Sequence, residues 1–121
     1  NEGYGHPVGN ALLEHAVRVM KDTLRPEDVL ARYGGDEFMI LLPNTPLADA
    51  AARAERIRKD VAALAFPLAD GSTTLTITTS QGIANFPETA REIELLCQQA
   101  DRALYRAKEE GRDRVVVAVR E

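Results

Sequence analysis

This sequence predicts an α/β fold with helices packed on a mixed central sheet, and three observations carry that reading. Apolar residues recur at helical spacing in three segments. Runs rich in β-branched and aromatic residues separate them, and the segments follow the order helix, hairpin, helix, strand, helix, strand. An early hairpin brings antiparallel pairing into the sheet, which argues against a doubly wound parallel arrangement. With 121 residues and 45% hydrophobic content, the chain has material for one core, so we expect a single domain over residues 1–121.

The first helix runs from Ala11 to Leu24, with Leu12, Ala16, Met20 and Leu24 at four-residue spacing and Leu13 and Val17 beside them. Arg25-Pro26 ends it, because a residue before proline is pushed out of the helical region. Val29 to Tyr33 and Met39 to Leu42 read as the buried strands of a hairpin. Thr45 then caps a second helix with Pro46 at its first position, and Leu47, Ala50, Ala51, Ala54, Ile57, Val61 and Leu64 carry it to about residue 65. Asp70-Gly71 reads as a turn, and the β-branched run Thr73 to Thr79 starts a strand over roughly residues 73 to 84. Gly82 within it marks a bulge or a close approach. Thr89 caps the last helix, where Ile93, Leu96, Cys97, Ala100, Leu104 and Ala107 share a face until Gly111 stops it. Val115 to Val119 forms a terminal strand.

A net charge of −4 argues against DNA or RNA as a partner, since phosphate contacts normally need a basic face. No apolar run approaches the roughly 20 residues that span a bilayer, so no membrane contact is expected of this segment. One cysteine excludes an internal disulfide framework and suits the cytoplasm; Cys97 reads as a small buried apolar residue. His15 reads as a surface residue.

Between the hairpin strands lies Gly34-Gly35-Asp36-Glu37-Phe38. Glycines there let the backbone approach a bulky ligand, and adjacent carboxylates are hard oxygen ligands that suit Mg²⁺ carrying substrate phosphates. An ordinary solvated turn has a similar composition, so the surroundings decide. Lys108 and Arg112, four apart, read as one face of the last helix, and a solvated basic helix end would also complement the macrodipole.

Read as Arg32-Tyr33-Gly34-Gly35-Asp36-Glu37-Phe38 followed by Leu41-Leu42-Pro43, the hairpin resembles the signature of GGDEF domains, the diguanylate cyclases of bacteria. Tyr4-Gly5-His6, Ala103-Leu104-Tyr105-Arg106-Ala107-Lys108 and Gly111-Arg112 extend the resemblance over nearly the whole chain. It implies a palm-like fold similar to that of nucleotidyl cyclases. It also implies a first central strand, bearing an aspartate, just before the stretch in which Asn1 falls; we expect that strand upstream of this sequence, leaving the domain short at its N-terminus.

By the same resemblance, Asp36 and Glu37 are the catalytic and metal-binding pair, with Mg²⁺ or Mn²⁺ as cofactor. Gly34 and Gly35 leave room for GTP, Lys108 and Arg112 neutralise its triphosphate, and Asn1 contacts the base. Asn10 stands where many active members have aspartate; an amide offers guanine one acceptor oxygen instead of a carboxylate's two, which weakens selectivity. His6 is not assigned a catalytic role. Arg25 and Asp28, with Arg-x-x-Asp spacing, resemble the inhibitory site for the cyclic di-GMP product, and Arg56 resembles an arginine that closes it. The implied activity condenses two GTP into cyclic di-GMP in a homodimer, with release of pyrophosphate and product feedback inhibition. The rival reading is an inactive module that binds GTP or cyclic di-GMP and regulates an attached domain.

Overall fold

The computed structural model describes residues 6–34 and 37–119. Its elements are α1 (His6–Asp22), β1 (Val29–Gly34), β2 (Glu37–Leu41), α2 (Leu47–Ala62), β3 (Phe66–Pro67), β4 (Thr74–Leu75), β5 (Ser80–Ile83), α3 (Ile93–Glu109) and β6 (Arg114–Val117). β1–β2 and β3–β4 pair antiparallel and β5–β6 pair parallel, as three two-stranded sheets. The class is mixed α/β, as the order of elements predicts. Packing divides the chain into one unit of Asn1–Pro43 with Asp60–Ile77 and another of Asn44–Lys59 with Thr78–Glu121.

In the first unit, α1 buries Leu12, Ala16 and Met20, the predicted stripe. The helix closes earlier than Arg25-Pro26. Thr23 Oγ1 donates to the Met20 carbonyl at 2.8 Å, and the Thr23 and Leu24 amides reach back three residues, which tightens and ends the last turn. His15 is half-buried, not a surface residue, with its ring edge-on to Phe66 at 5.9 Å. Val61 has no exposed surface, a burial worth about 1.5–3 kcal/mol.

The β1–β2 hairpin is built as predicted but is not buried on both faces. Leu30 lies opposite Ile40, and both are half-buried; Val29 opposite Leu41 and Ala31 opposite Met39 form the other face, where Val29 and Leu41 are about half exposed. Period-two alternation puts one set of apolar side chains on each face, so a continuous apolar run does not by itself tell which face is covered.

The single strand expected over residues 73 to 84 is two short strands, Thr74–Leu75 and Ser80–Ile83, because its two ends have different partners. Thr74–Leu75 pairs with Phe66–Pro67, a strand the sequence reading missed, since proline demotes a strand reading. Asp70 shapes the turn between them: its carboxylate accepts from the Ser72 amide (3.0 Å), the Thr73 amide (2.9 Å) and Thr73 Oγ1 (2.6 Å), and Gly71 takes φ 78°. These bonds, the Thr73 hydroxyl first, hold the Asp70 carboxyl below its ordinary pKa.

In the second unit α3 lies across β5 and β6, in a register that pairs Ser80 with Arg114 and Ile83 with Val117. Gly82 is the point of closest approach. A Cβ there would collide with Leu104 N and Ala100 O and stand 2.9 Å from the Ala103 carbonyl carbon, all helix backbone. Of the two readings of Gly82, close approach is the correct one. α3 consequently buries Gln99, Ala103 and Ala107, with Leu96, Ala100 and Leu104 half-buried, while Ile93 and Cys97 are exposed. The expected buried Cys97 is thus corrected: the buried stripe is rotated toward the small residues that allow the strand so near.

The predicted start of α3 differs in detail, and that of α2 draws on a long-range partner. Thr89 is buried in the turn before α3, where its hydroxyl donates to the Asn85 carbonyl and accepts from the Asn85 amide. The N-cap of α3 is Glu92, extended and without a side-chain cap bond. At α2 the Leu47 amide donates to Glu88 Oε2 at 3.1 Å, and Asn85 Nδ2 donates to the Thr45 carbonyl at 2.9 Å. A side chain about forty residues away thus serves the first turn of α2.

Gly82→Ala is expected to cost at least about 1–3 kcal/mol in urea unfolding, because only backbone stands in the way of the added methyl. Asp70→Ala should lower stability at pH 7. Because the folded-state pKa is depressed, wild-type Asp70 contributes fully above its ordinary value of 3.8 and loses its contribution as pH falls through the lower folded value. Melting curves of wild type and variant should therefore converge in acid.

Candidate functional site

At the signature hairpin the ladder runs regularly from Val29 opposite Leu41 to Arg32 opposite Phe38, then jumps to Gly34 opposite Glu37. Tyr33 is the extra residue of a β-bulge, a device that increases twist and re-aims the strand at its end. Glu37 begins β2 and is exposed. The Phe38 ring is half-buried, with the Arg32 guanidinium 5.9 Å from its centroid across the ladder, a cation–π pair that ties the strands together next to the tip. Gly35, Asp36 and Asn1 lie outside the described residues. Among the described residues no three His, Cys, Asp or Glu side chains gather as a metal cage. The donor set of adjacent Asp36 and Glu37 fits Mg²⁺ or Mn²⁺ in chemistry, two hard oxygen ligands that leave coordination positions for phosphate. Asn10 is exposed on α1, a turn in from its start at His6.

Lys108 and Arg112 belong to the other unit, and they do not share a helix. α3 ends at Glu109, so the expected common face is corrected: Lys108 sits in the last helical turn and Arg112 in the turn that follows. The helix stops in a Schellman motif. The Arg112 amide donates to the Ala107 carbonyl at 2.9 Å and the Gly111 amide to the Lys108 carbonyl at 3.4 Å. Gly111 has φ 119°, and Arg112 and Asp113 follow at 63° and 48°, conformations that cost an L residue about 1–2 kcal/mol each. Arg114 Nε donates to the Arg112 carbonyl at 3.0 Å.

A charged cluster braces this turn. Arg58 on α2 gives Nε (2.8 Å) and Nη2 (2.7 Å) to the Glu55 carboxylate and Nη1 (2.9 Å) to Asp113 Oδ1. Glu55 first, and Asp113 with it, raise Arg58 above its ordinary pKa, and the Arg58 hydrogen bond lowers Glu55. Sequence reasoning missed Arg58; its three-residue spacing from Glu55 was the one local signal. It also missed the buried Gln99, whose Nε2 donates to the Thr89 carbonyl at 2.9 Å.

Arg25 and Asp28 are brought together. The Asp28 amide donates to the Arg25 carbonyl at 3.0 Å, closing a turn. The Asp28 carboxylate, its side chain fully buried, accepts from the Arg25 amide (2.8 Å) and Nη2 (3.3 Å), and Nη2 also donates to the Pro43 carbonyl at 3.0 Å. Glu27 lies 3.4 Å from Arg25 Nε. Arg56 is exposed on α2, in the second unit.

Residues 1–114 match the family profile described as "Diguanylate cyclase, GGDEF domain". The chain belongs to the GGDEF family. It is 37% identical over 118 residues to diguanylate cyclase A of Treponema denticola, covering 98% of this chain and 31% of that protein. It is 37% identical to the response regulator PleD of Caulobacter vibrioides, covering 96% and 26%. Among solved structures, the GGDEF domain of YfiN from Pseudomonas aeruginosa superposes with a TM-score of 0.85 at 34% identity, covering all of this chain and 74% of that one. The GGDEF domain of DgcB from Caulobacter crescentus, solved in complex with c-di-GMP, gives 0.81 at 27%, covering 97% and 68%. The chain spans about a third or less of the length of these full-length relatives. Among the described residues no helix is long and apolar enough to cross a membrane.

Gly111→Ala is expected to destabilise this GGDEF domain by at least about 1 kcal/mol, read from urea unfolding, since the new Cβ would need φ 119° and would stand 3.0 Å from Arg114 Nη2.

Proposed function

We propose that this domain condenses two molecules of GTP into cyclic di-GMP. The observation that carries the reading is the intact Gly34-Gly35-Asp36-Glu37-Phe38 signature, flanked by strands that pair around a bulge beside it. In the reaction the 3′-hydroxyl of one GTP attacks the α-phosphorus of the other. A P–O bond forms, the bond to pyrophosphate breaks, and the hydroxyl proton passes to a base. Two such transfers close the ring. Each domain holds one GTP, so two copies must face each other, and a homodimer is part of the mechanism.

Glu37 orients the attacking hydroxyl or takes its proton, a role that its exposure at the start of β2 supports. Asp36 and Glu37 would hold Mg²⁺ or Mn²⁺, which supplies neutralisation of charge on the phosphate oxygens when bound. Lys108 and Arg112 bind the triphosphate; Lys108 contributes a compact charge from the helix end and Arg112 a planar fork from the turn. Gly34 and Gly35 leave space for the nucleotide, and Asn1 and Asn10 read the base.

Arg25 and Asp28, with Arg56, form the site at which product inhibits the enzyme. Their turn brings both residues together, which supports their use by one ligand, and the solved c-di-GMP complex of a relative supports that ligand. The domain works in the cytoplasm, as the catalytic part of a longer signalling protein. Asn10, an amide where a carboxylate would recognise guanine more fully, favours a second reading: an inactive module that binds GTP or cyclic di-GMP and regulates an attached domain.

Chain with its natural flanking residues, incubated with GTP and Mg²⁺ and analysed by chromatography, should yield cyclic di-GMP and pyrophosphate. Asp36→Ala should reduce synthesis at least about 100-fold while leaving cyclic di-GMP binding at Arg25 and Asp28 intact. A folded dimer that binds either nucleotide and makes no product would decide for the regulatory module.

A further inference from the structure

We propose that Arg58 is a positioning residue for nucleotide binding, holding through Asp113 the turn that carries Arg112. The proposal rests on the reading of Arg112 as a triphosphate ligand and adds to it the group that sets its geometry. Gly111, Arg112 and Asp113 have positive φ in succession, and only the first is glycine. Two side-chain-bearing residues persist in that region only where their surroundings hold them.

The surroundings here are specific. The Arg112 amide is tied to the helix through Ala107, and its carbonyl accepts from Arg114 Nε. Asp113 is tied through its carboxylate, to Arg58 Nη1 at 2.9 Å. Arg58 cannot swing away freely, because Glu55, one turn before it on α2, takes Nε and Nη2 at 2.8 and 2.7 Å. Both ends of the planar guanidinium are thus committed, and its third nitrogen is aimed at the turn. Lysine has no such geometry to offer. The Arg58 side chain is 21% exposed and the Asp113 side chain 44%, so the Arg58 end of the link is the sheltered one. The arrangement places an exposed cation on a turn fixed from behind, so that GTP meets Arg112 already in position and little ordering remains to be done on binding.

The test measures KM for GTP, kcat, equilibrium binding of a non-hydrolysable GTP analogue and thermal melting, in the chain with its natural flanking residues. Arg58→Gln should raise KM and the analogue's Kd about tenfold while kcat stays within about twofold. Asp113→Gly, which keeps the backbone freedom and loses the link, should do the same. The double variant should bind no worse than either single one, because both remove one interaction. Asp113→Asn, which keeps an acceptor oxygen and tolerates positive φ, should stay close to wild type. Fully additive losses in the double variant would overturn the positioning role. So would unchanged GTP binding in Arg58→Gln or Asp113→Gly alongside weakened binding in Arg112→Ala. If wild type binds the analogue but Arg112→Ala binds equally well, the reading of Arg112 fails, and the proposal fails with it.

Discussion

Where β5 crosses α3, strand and helix backbones approach so closely at Gly82 that no side chain fits between them. Much of the second unit follows from that contact. It selects Ala103 and Ala107 for the buried line of the helix and turns Ile93 and Cys97 outward. It seats the helix over the parallel β5–β6 pair, and the chain between α3 and β6 then has only four residues in which to reverse. A Schellman stop with three left-handed residues makes so short a return possible, and that return carries Arg112. A glycine thirty residues away thereby constrains where Arg112 can stand.

What the sequence made legible was whatever local chemistry determines. Leu12, Ala16 and Met20 announced the buried face of α1, and Asp70-Gly71 announced its turn, because helical periodicity and aspartate's reach to nearby amides are properties of a few adjacent residues. The signature pentapeptide located the hairpin for the same reason. What stayed hidden depended on partners distant in the chain. Glu88 serving the Leu47 amide leaves no mark near Leu47. The strand predicted over residues 73 to 84 opens on a β-prone threonine run, yet its two ends, Thr74–Leu75 and Ser80–Ile83, pair with different strands, and propensity registers residue type without registering partner.

The candidate site divides along the same line. Resemblance to the family's motifs pointed to Asp36, Glu37, Lys108, Arg112 and the Arg25–Asp28 pair, whose carboxylates and cations suit the ligands it implies. Geometry supplied the rest. A spacing of four suggested a shared helical face for Lys108 and Arg112, but Gly111 falls between them, and its left-handed backbone sends Arg112 off the helix. Arg58, which touches that turn, resembled any other arginine on an exposed basic helix until the fold brought Asp113 to it.

Arg25 and Asp28 already satisfy each other, with the carboxylate hidden from solvent and the guanidinium also held by the Pro43 carbonyl. Any ligand that uses both residues must therefore displace a contact that exists in its absence. Its apparent affinity is the intrinsic affinity scaled by the fraction of time the pair stands open; if that fraction were about one in ten, binding would weaken about tenfold. For the product binding proposed at this pair, the internal bond would act as a threshold, setting the concentration at which the ligand begins to be sensed.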